Sequence, residues 1–184
     1  SGDAGGNTSI TFTTAAPQYY QTAVSDSWST AAKWFLGSNG TGGAGRVPLP
    51  QDNVFFDANS VTAASKTITV DMPRLGKSID FTGVANTPTI TTSAAATTLY
   101  GSLTLASTTT ITQWGGTSTT FEGRSSFTLT TAGKNIGGST GMAVSMVGGT
   151  LTLQDNLTVG ASGASGSFIL NNGTFDANGK NVTT

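Results

Sequence analysis

The chain has no cysteine and no histidine among its 184 residues. Without Cys no disulfide can staple it, so extracellular life would rest on sheet hydrogen bonding alone. Without His the commonest general base and metal ligand is missing, and neither a Ser-His-Asp nor a Cys-His arrangement can exist. Charge is scarce as well: Asp, Glu, Lys and Arg make up 9% of the chain, against about 25% in an average globular domain. Net charge is -1, with the 8 basic residues spread from Lys33 to Lys180 rather than gathered in a patch, which argues against a nucleic-acid partner. No apolar run approaches the roughly 18 residues that would span a bilayer, so no membrane insertion is expected. The chain starts at Ser1 with no signal-like apolar region, as expected of a processed chain or the ordered part of a longer one.

What fills the space is Gly, 25 residues, with Thr close to a fifth of the chain. Thr, Ser, Gly and Asn do the solvating work that Lys and Glu usually do. Such a composition can signal disorder. Here, however, Thr alternates with Val, Ile, Leu and Phe, and β-branched residues suit a pleated surface.

Alternation predicts strands over residues 8–14 (Ile10 and Phe12 on one face), 67–70 (Ile68, Val70) and 77–81 (Ile79, Phe81), and an apolar strand at Val54-Phe55-Phe56 between turn formers. Residues 29–35 are the best short-helix candidate, one or two turns with Ser29 or Thr30 as cap and Ala31 and Ala32 inside. From about Leu99 the texture repeats. Gly101-Ser-Leu-Thr-Leu105 resembles Gly149-Thr-Leu-Thr-Leu153, and residues 128–136 resemble residues 174–182. The offsets, about 48 and 46, read as two turns of roughly 23 residues each, the mark of a solenoid. Gly76-Lys77-Ser78-Ile79 falls out of register with this period.

These patterns predict an all-β fold: a right-handed parallel β-solenoid over residues 96–184, continuing beyond Thr184, preceded by a small β-rich cap or attachment region over residues 1–95. Leu103, Leu105, Phe127, Leu129, Leu151, Leu153, Phe168 and Leu170 point inward. Gly115-Gly116, Gly137-Gly138, Gly148-Gly149 and Asn171-Asn172-Gly173 form corners that need φ > 0. Stacked coils bury a column that no single coil could bury. The chain stops in mid-repeat, which would leave strand edges bare, so more chain or a partner is expected to follow. The alternative is an antiparallel β-sandwich of many short strands.

Candidate chemistry is thin. Glu122 and Asp155 could meet across coils as the carboxylate pair of a polysaccharide-cleaving enzyme, although both also read as corner residues. Asp52, Asn53, Asp57 and Asn59 offer oxygens of the kind Ca²⁺ takes, but alternate strand positions face opposite sides, and Asx turns at the strand ends explain them more simply. The reading is therefore no catalytic residue, no metal and no cofactor. Gly40-Thr-Gly-Gly-Ala-Gly45 lacks the Lys-Ser/Thr and the helix of a phosphate loop. Among aromatics, Trp28, Trp34, Phe55 and Phe56 are read as structural. Trp114, before Gly115-Gly116, and Tyr19 and Tyr20 are candidates for stacking on a sugar ring.

The block Trp28-Ser29, Trp34, a Gly-rich loop, Val47-Pro48 and Asp52-Asn-Val-Phe-Phe-Asp-Ala-Asn-Ser60 resembles the opening of a widespread group of phage and bacterial surface proteins in which Thr/Gly-rich β-helical turns follow. The block covers residues 28–60, and the repeats extend the likeness over most of the chain. The resemblance implies a non-enzymatic phage virion protein, a tail or head fibre or a capsid decoration protein, on the particle surface. Its partners would be other virion proteins and a host surface glycan, and a fibre would be a homotrimer. The alternatives are a bacterial adhesin or carbohydrate-binding module and, more remotely, a polysaccharide depolymerase. The group offers no catalytic residues to carry over.

Overall fold

The computed structural model describes residues 13–92, 96–111, 113–161, 163 and 166–184. The chain is nearly all β and winds into a parallel β-solenoid of about five turns. The strand predicted over residues 8–14 lies outside the described residues except for Thr13 and Thr14, which are not in a strand.

Three faces make up each coil. The first stacks Pro17–Tyr20, Asn53–Phe55, Ile79–Asp80, Leu103–Thr104, Phe127–Thr130 and the second half of Gly141–Leu153, all parallel. The second stacks Ala96–Leu99, Ser118–Gly123, the first half of Gly141–Leu153 and Ser167–Asp176. The third face is built in two sections. Asp26–Ser27, Thr67–Val70 and Thr89–Thr92 form one, and Gln113–Trp114, Asn135–Ile136, Leu157–Val159 and Val182–Thr183 form the other. The sandwich alternative fails on this pattern, because the one antiparallel strand pair among the described strands is Pro17–Tyr20 with Trp34–Phe35.

Strand alternation sorts the side chains. On the first face Gln18, Val54, Ile79, Leu103, Leu129 and Leu153 occupy successive rungs of one ladder, and all are buried. On the second, Leu99, Phe121 and Val144 stack likewise. Fully burying an aliphatic or Phe side chain is worth about 1.5–3 kcal/mol, so each rung adds to a column that its neighbours keep dry. Outward positions carry Thr: Thr67 pairs with Thr89 and Thr69 with Thr91, the latter two joined by a hydroxyl contact of 3.4 Å.

The ladder differs from the sequence-based alignment in register. Leu103 lies beside Leu129 and Leu129 beside Leu153, so the coils span 26 residues (103 to 129) and 24 residues (129 to 153). Leu103 thus corresponds to Leu153, not Leu151. The second alignment slips equally, since Phe127 rather than Leu129 corresponds to Phe175. A slip of two preserves which side faces inward, and for that reason the inward residues were readable although the register was not. Ile79 pairs with Leu103, so residues 76–79 do stand in the ladder, and stacking crosses residue 95 without a change of sheet.

Two local expectations need correction. The predicted helix is a single 3₁₀ turn, Ala31–Lys33, whose N-cap Thr30 makes no side-chain cap bond and whose alanines are exposed. Trp34 and Phe35 leave it to pair with Tyr20 and Tyr19. Leu170 is 49% exposed and Phe168 half-buried, because Ser167–Asp176 pairs only with Gly141–Leu153 and has no further rung against its other side.

Candidate functional site

The aromatic residues sort into interior and exterior. Trp28, Trp34, Tyr20, Phe56, Phe81 and Trp114 are fully buried. Trp28 meets Trp34 edge-on at 5.0 Å, Phe56 stacks on Phe81 at 4.4 Å, and Phe81 meets Trp114 edge-on at 5.9 Å. Trp34 donates its indole N–H to Trp28 O at 2.8 Å. Trp28, Trp34 and Phe56 are structural, as expected. Trp114 and Tyr20 are not available to a ligand: Trp114 shares its column with Ile136 and Val159, and burial raises the Tyr20 phenol, with Asp26 and Asp71 adding to the effect. Tyr19 is half-buried with its ring stacked on Phe55 at 4.9 Å, so this pair faces outward and Phe55 stands outside the core.

The carboxylates act as backbone anchors. Asp155 accepts from Thr131 N (2.7 Å) and Ala132 N (2.6 Å). Glu122 sits at the end of Ser118–Gly123, beside Ser145 and at a different corner, so the proposed pair is not assembled. Asp57 accepts from Asn59 N at 2.8 Å and Asn59 donates to Ser38 Oγ at 3.1 Å, the expected Asx turn. Asn53 is exposed in its strand. Among the described residues no three acidic side chains come together as a metal site, and no helix is long and apolar enough to cross a membrane.

Asp52 has a role that sequence reasoning missed. It is fully buried and binds Arg46 through both guanidinium Nε (3.0 Å) and Nη2 (2.6 Å). It also accepts from Ala16 N and Leu49 N, each at 2.9 Å. Arg46 further reaches Thr14 O at 2.8 Å. This ion pair fastens the 30–50 excursion to the first strand. Six residues separate the partners, a distance that flags no motif by itself.

A surface feature remains. A groove of about 590 Å³ runs along the corner that leads into the first face and is lined by Gln51, Lys77, Tyr100, Arg124, Ser125 and Phe127, within the usual size range of small-ligand clefts. Gln51, Lys77, Tyr100 and Arg124 each stand two or three residues ahead of consecutive first-face strands, which begin at Asn53, Ile79, Leu103 and Phe127. The corner is tight. A Cβ on Gly101 would come within 2.6 Å of Lys77 O, and one on Gly123 (φ +148) within 2.7 Å of the Phe127 ring, so both glycines are required where coils touch. Lys77 and Arg124 are exposed, and among the described residues neither side chain has an ion-pair or hydrogen-bond partner. Two other cations are engaged, Lys33 with Asp26 at 3.4 Å and Arg46 with Asp52. No carboxylate lines the groove. Its residues scatter over four coils, so no contiguous motif announced it. The spacing of Gln51, Lys77, Tyr100 and Arg124 by about one coil each becomes a signal once the coil length is known. The chain matches no family model, no curated protein and no solved structure.

Proposed function

We propose that the chain is a non-enzymatic structural protein of a phage virion surface, a tail or head fibre or a capsid decoration protein. The observation that carries this reading is the column of buried side chains running through successive parallel rungs under a coat of Thr. Each coil braces the next through main-chain hydrogen bonds, so the unit is a stiff projecting rod whose shape does not depend on a bound cofactor. The resemblance of residues 28–60 to surface-appendage proteins supports the location. The test is the composition of purified particles: mass spectrometry should find the chain, and antibody labelling should place it on the outer surface. Its absence from the particle ends the proposal.

A second reading, a bacterial adhesin or carbohydrate-binding module, is favoured by the corner groove with its two free cations and its tyrosine. It predicts labelling of the bacterial envelope in uninfected cells.

A further inference from the structure

We propose that the groove spanning Lys77, Tyr100 and Arg124 binds an acidic polysaccharide laid along the solenoid axis, with uronate-type carboxylates on the two cations and a sugar ring against the tyrosine. The proposal concerns the purified chain and holds for either location.

Charge comes first. In a chain with net charge -1, Lys77 and Arg124 stand free in one groove without a lining carboxylate, an arrangement complementary to an anion. Arg can grip a carboxylate through two parallel N–H bonds, whereas Lys supplies a point charge.

Spacing comes second. Lys77 leads into the rung of Ile79 and Arg124 into the rung of Phe127, with the rung of Leu103 between them. Strands lie about 4.8 Å apart, so the two cations sit on levels about 10 Å apart along the axis. An extended pyranose chain advances by a comparable distance per sugar as the solenoid does per rung. Carboxylates on alternate sugars therefore meet successive cations, with the intervening ring at the level of Tyr100.

The remaining lining fits a sugar as well. The face of a tyrosine ring carries partial negative charge and accepts the C–H groups of a pyranose. Gln51 spends its amide N–H on Thr13 O at 3.2 Å, which leaves its carbonyl oxygen to accept from sugar hydroxyls, and Ser125 adds a hydroxyl. An acidic peptide fits less well. A peptide strand would need main-chain partners, and this corner has spent its own: Lys77 N donates to Asp52 O and Ile79 N to Ser102 O.

The experiment titrates the purified chain with oligomers of galacturonate, of mannuronate-guluronate and of sialic acid, using calorimetry at low and high salt. Methyl-esterified oligogalacturonate and polyglutamate are the controls. At least one acidic oligosaccharide should bind saturably, and raising the salt should weaken it. Esterification, the double variant Lys77→Gln/Arg124→Gln and the single variant Tyr100→Ala should each cost roughly tenfold or more in affinity. Melting curves on the same samples should coincide with wild type, since both cations are exposed. No binding to any of the three oligomers overturns the proposal. So does affinity unchanged in the double variant, and so does equal binding of polyglutamate, which would make the groove a general acidic-polymer site.

Discussion

At one end of the solenoid the first strand, Pro17–Tyr20, has neighbours on both sides, Asn53–Phe55 parallel and Trp34–Phe35 antiparallel. Behind it Tyr20, Trp28, Trp34 and Phe56 fill the interior, and the Arg46–Asp52 pair ties the excursion down. At the other end Ser167–Asp176 has a neighbour on one side alone, and Ile169, Leu170 and Val182 are 47%, 49% and 39% exposed. The two ends use the same strand chemistry. The difference is that one sends a segment back antiparallel across its edge, which satisfies main-chain groups and roofs over large aromatics, while the other presents an unroofed rung. In a repeat fold, stability is a sum of coils and contacts between coils, so side chains of similar hydrophobicity should matter unequally at the two ends.

That inequality can be broken by substitution. Trp34→Ala should cost about 3–5 kcal/mol in chemical denaturation, because it removes a buried ring and its hydrogen bond to Trp28 O; a loss below about 1 kcal/mol would deny the roofed end its importance. Trp114→Ala should cost nearly as much, and any loss of glycan binding it causes should track unfolding. Trp114→Phe should be far milder, because the indole N–H is buried without a partner and an unmet donor is itself unfavourable. Arg46→Ala should cost roughly 2–3 kcal/mol, at the lower end for a broken buried pair, because Arg46 is 33% exposed while Asp52 is fully buried.

At the open end, Leu170→Ser should change stability by no more than about 0.5 kcal/mol. A loss several times larger, seen in the same denaturation curves, would mean that this face is covered in solution.

The smallest effect concerns Asp26. Its carboxyl is held below the usual range, first by the Thr30 hydroxyl, then by the Ser27 N–H and Lys33. A lowered folded pKa stabilises above the unfolded value of about 3.9, and the gain is lost as pH falls through the folded pKa. The lead of wild type over Asp26→Asn in thermal melts should therefore be complete at neutral pH and shrink below about pH 4.

Much of the fold was legible because alternation is a local signal. Leu103, Leu105, Leu129, Leu151 and Leu153 were read as inward and are buried. Coil length is not local. It varies with each corner, and the error of two residues in both internal alignments came from treating it as constant. Trp114 was misread because Gly115-Gly116 does mark a corner, with Gly115 at φ +91, yet the residue before it still belongs to an inward column. Leu170 was misread because its burial depends on a neighbouring rung and not on its own strand. The Arg46–Asp52 pair and the groove were invisible for a related reason, since both are made by chain segments that only the winding brings together.

Between Leu103 and Leu153 each rung is reached in 24 or 26 residues, yet the path from Gln18 to Val54 takes 36 and returns to the same column. Length added at a bend leaves the stack untouched. The molecule is thus a mount on which surface loops can be lengthened, shortened or exchanged one bend at a time, with the spine as the fixed reference and the bends as interchangeable fittings.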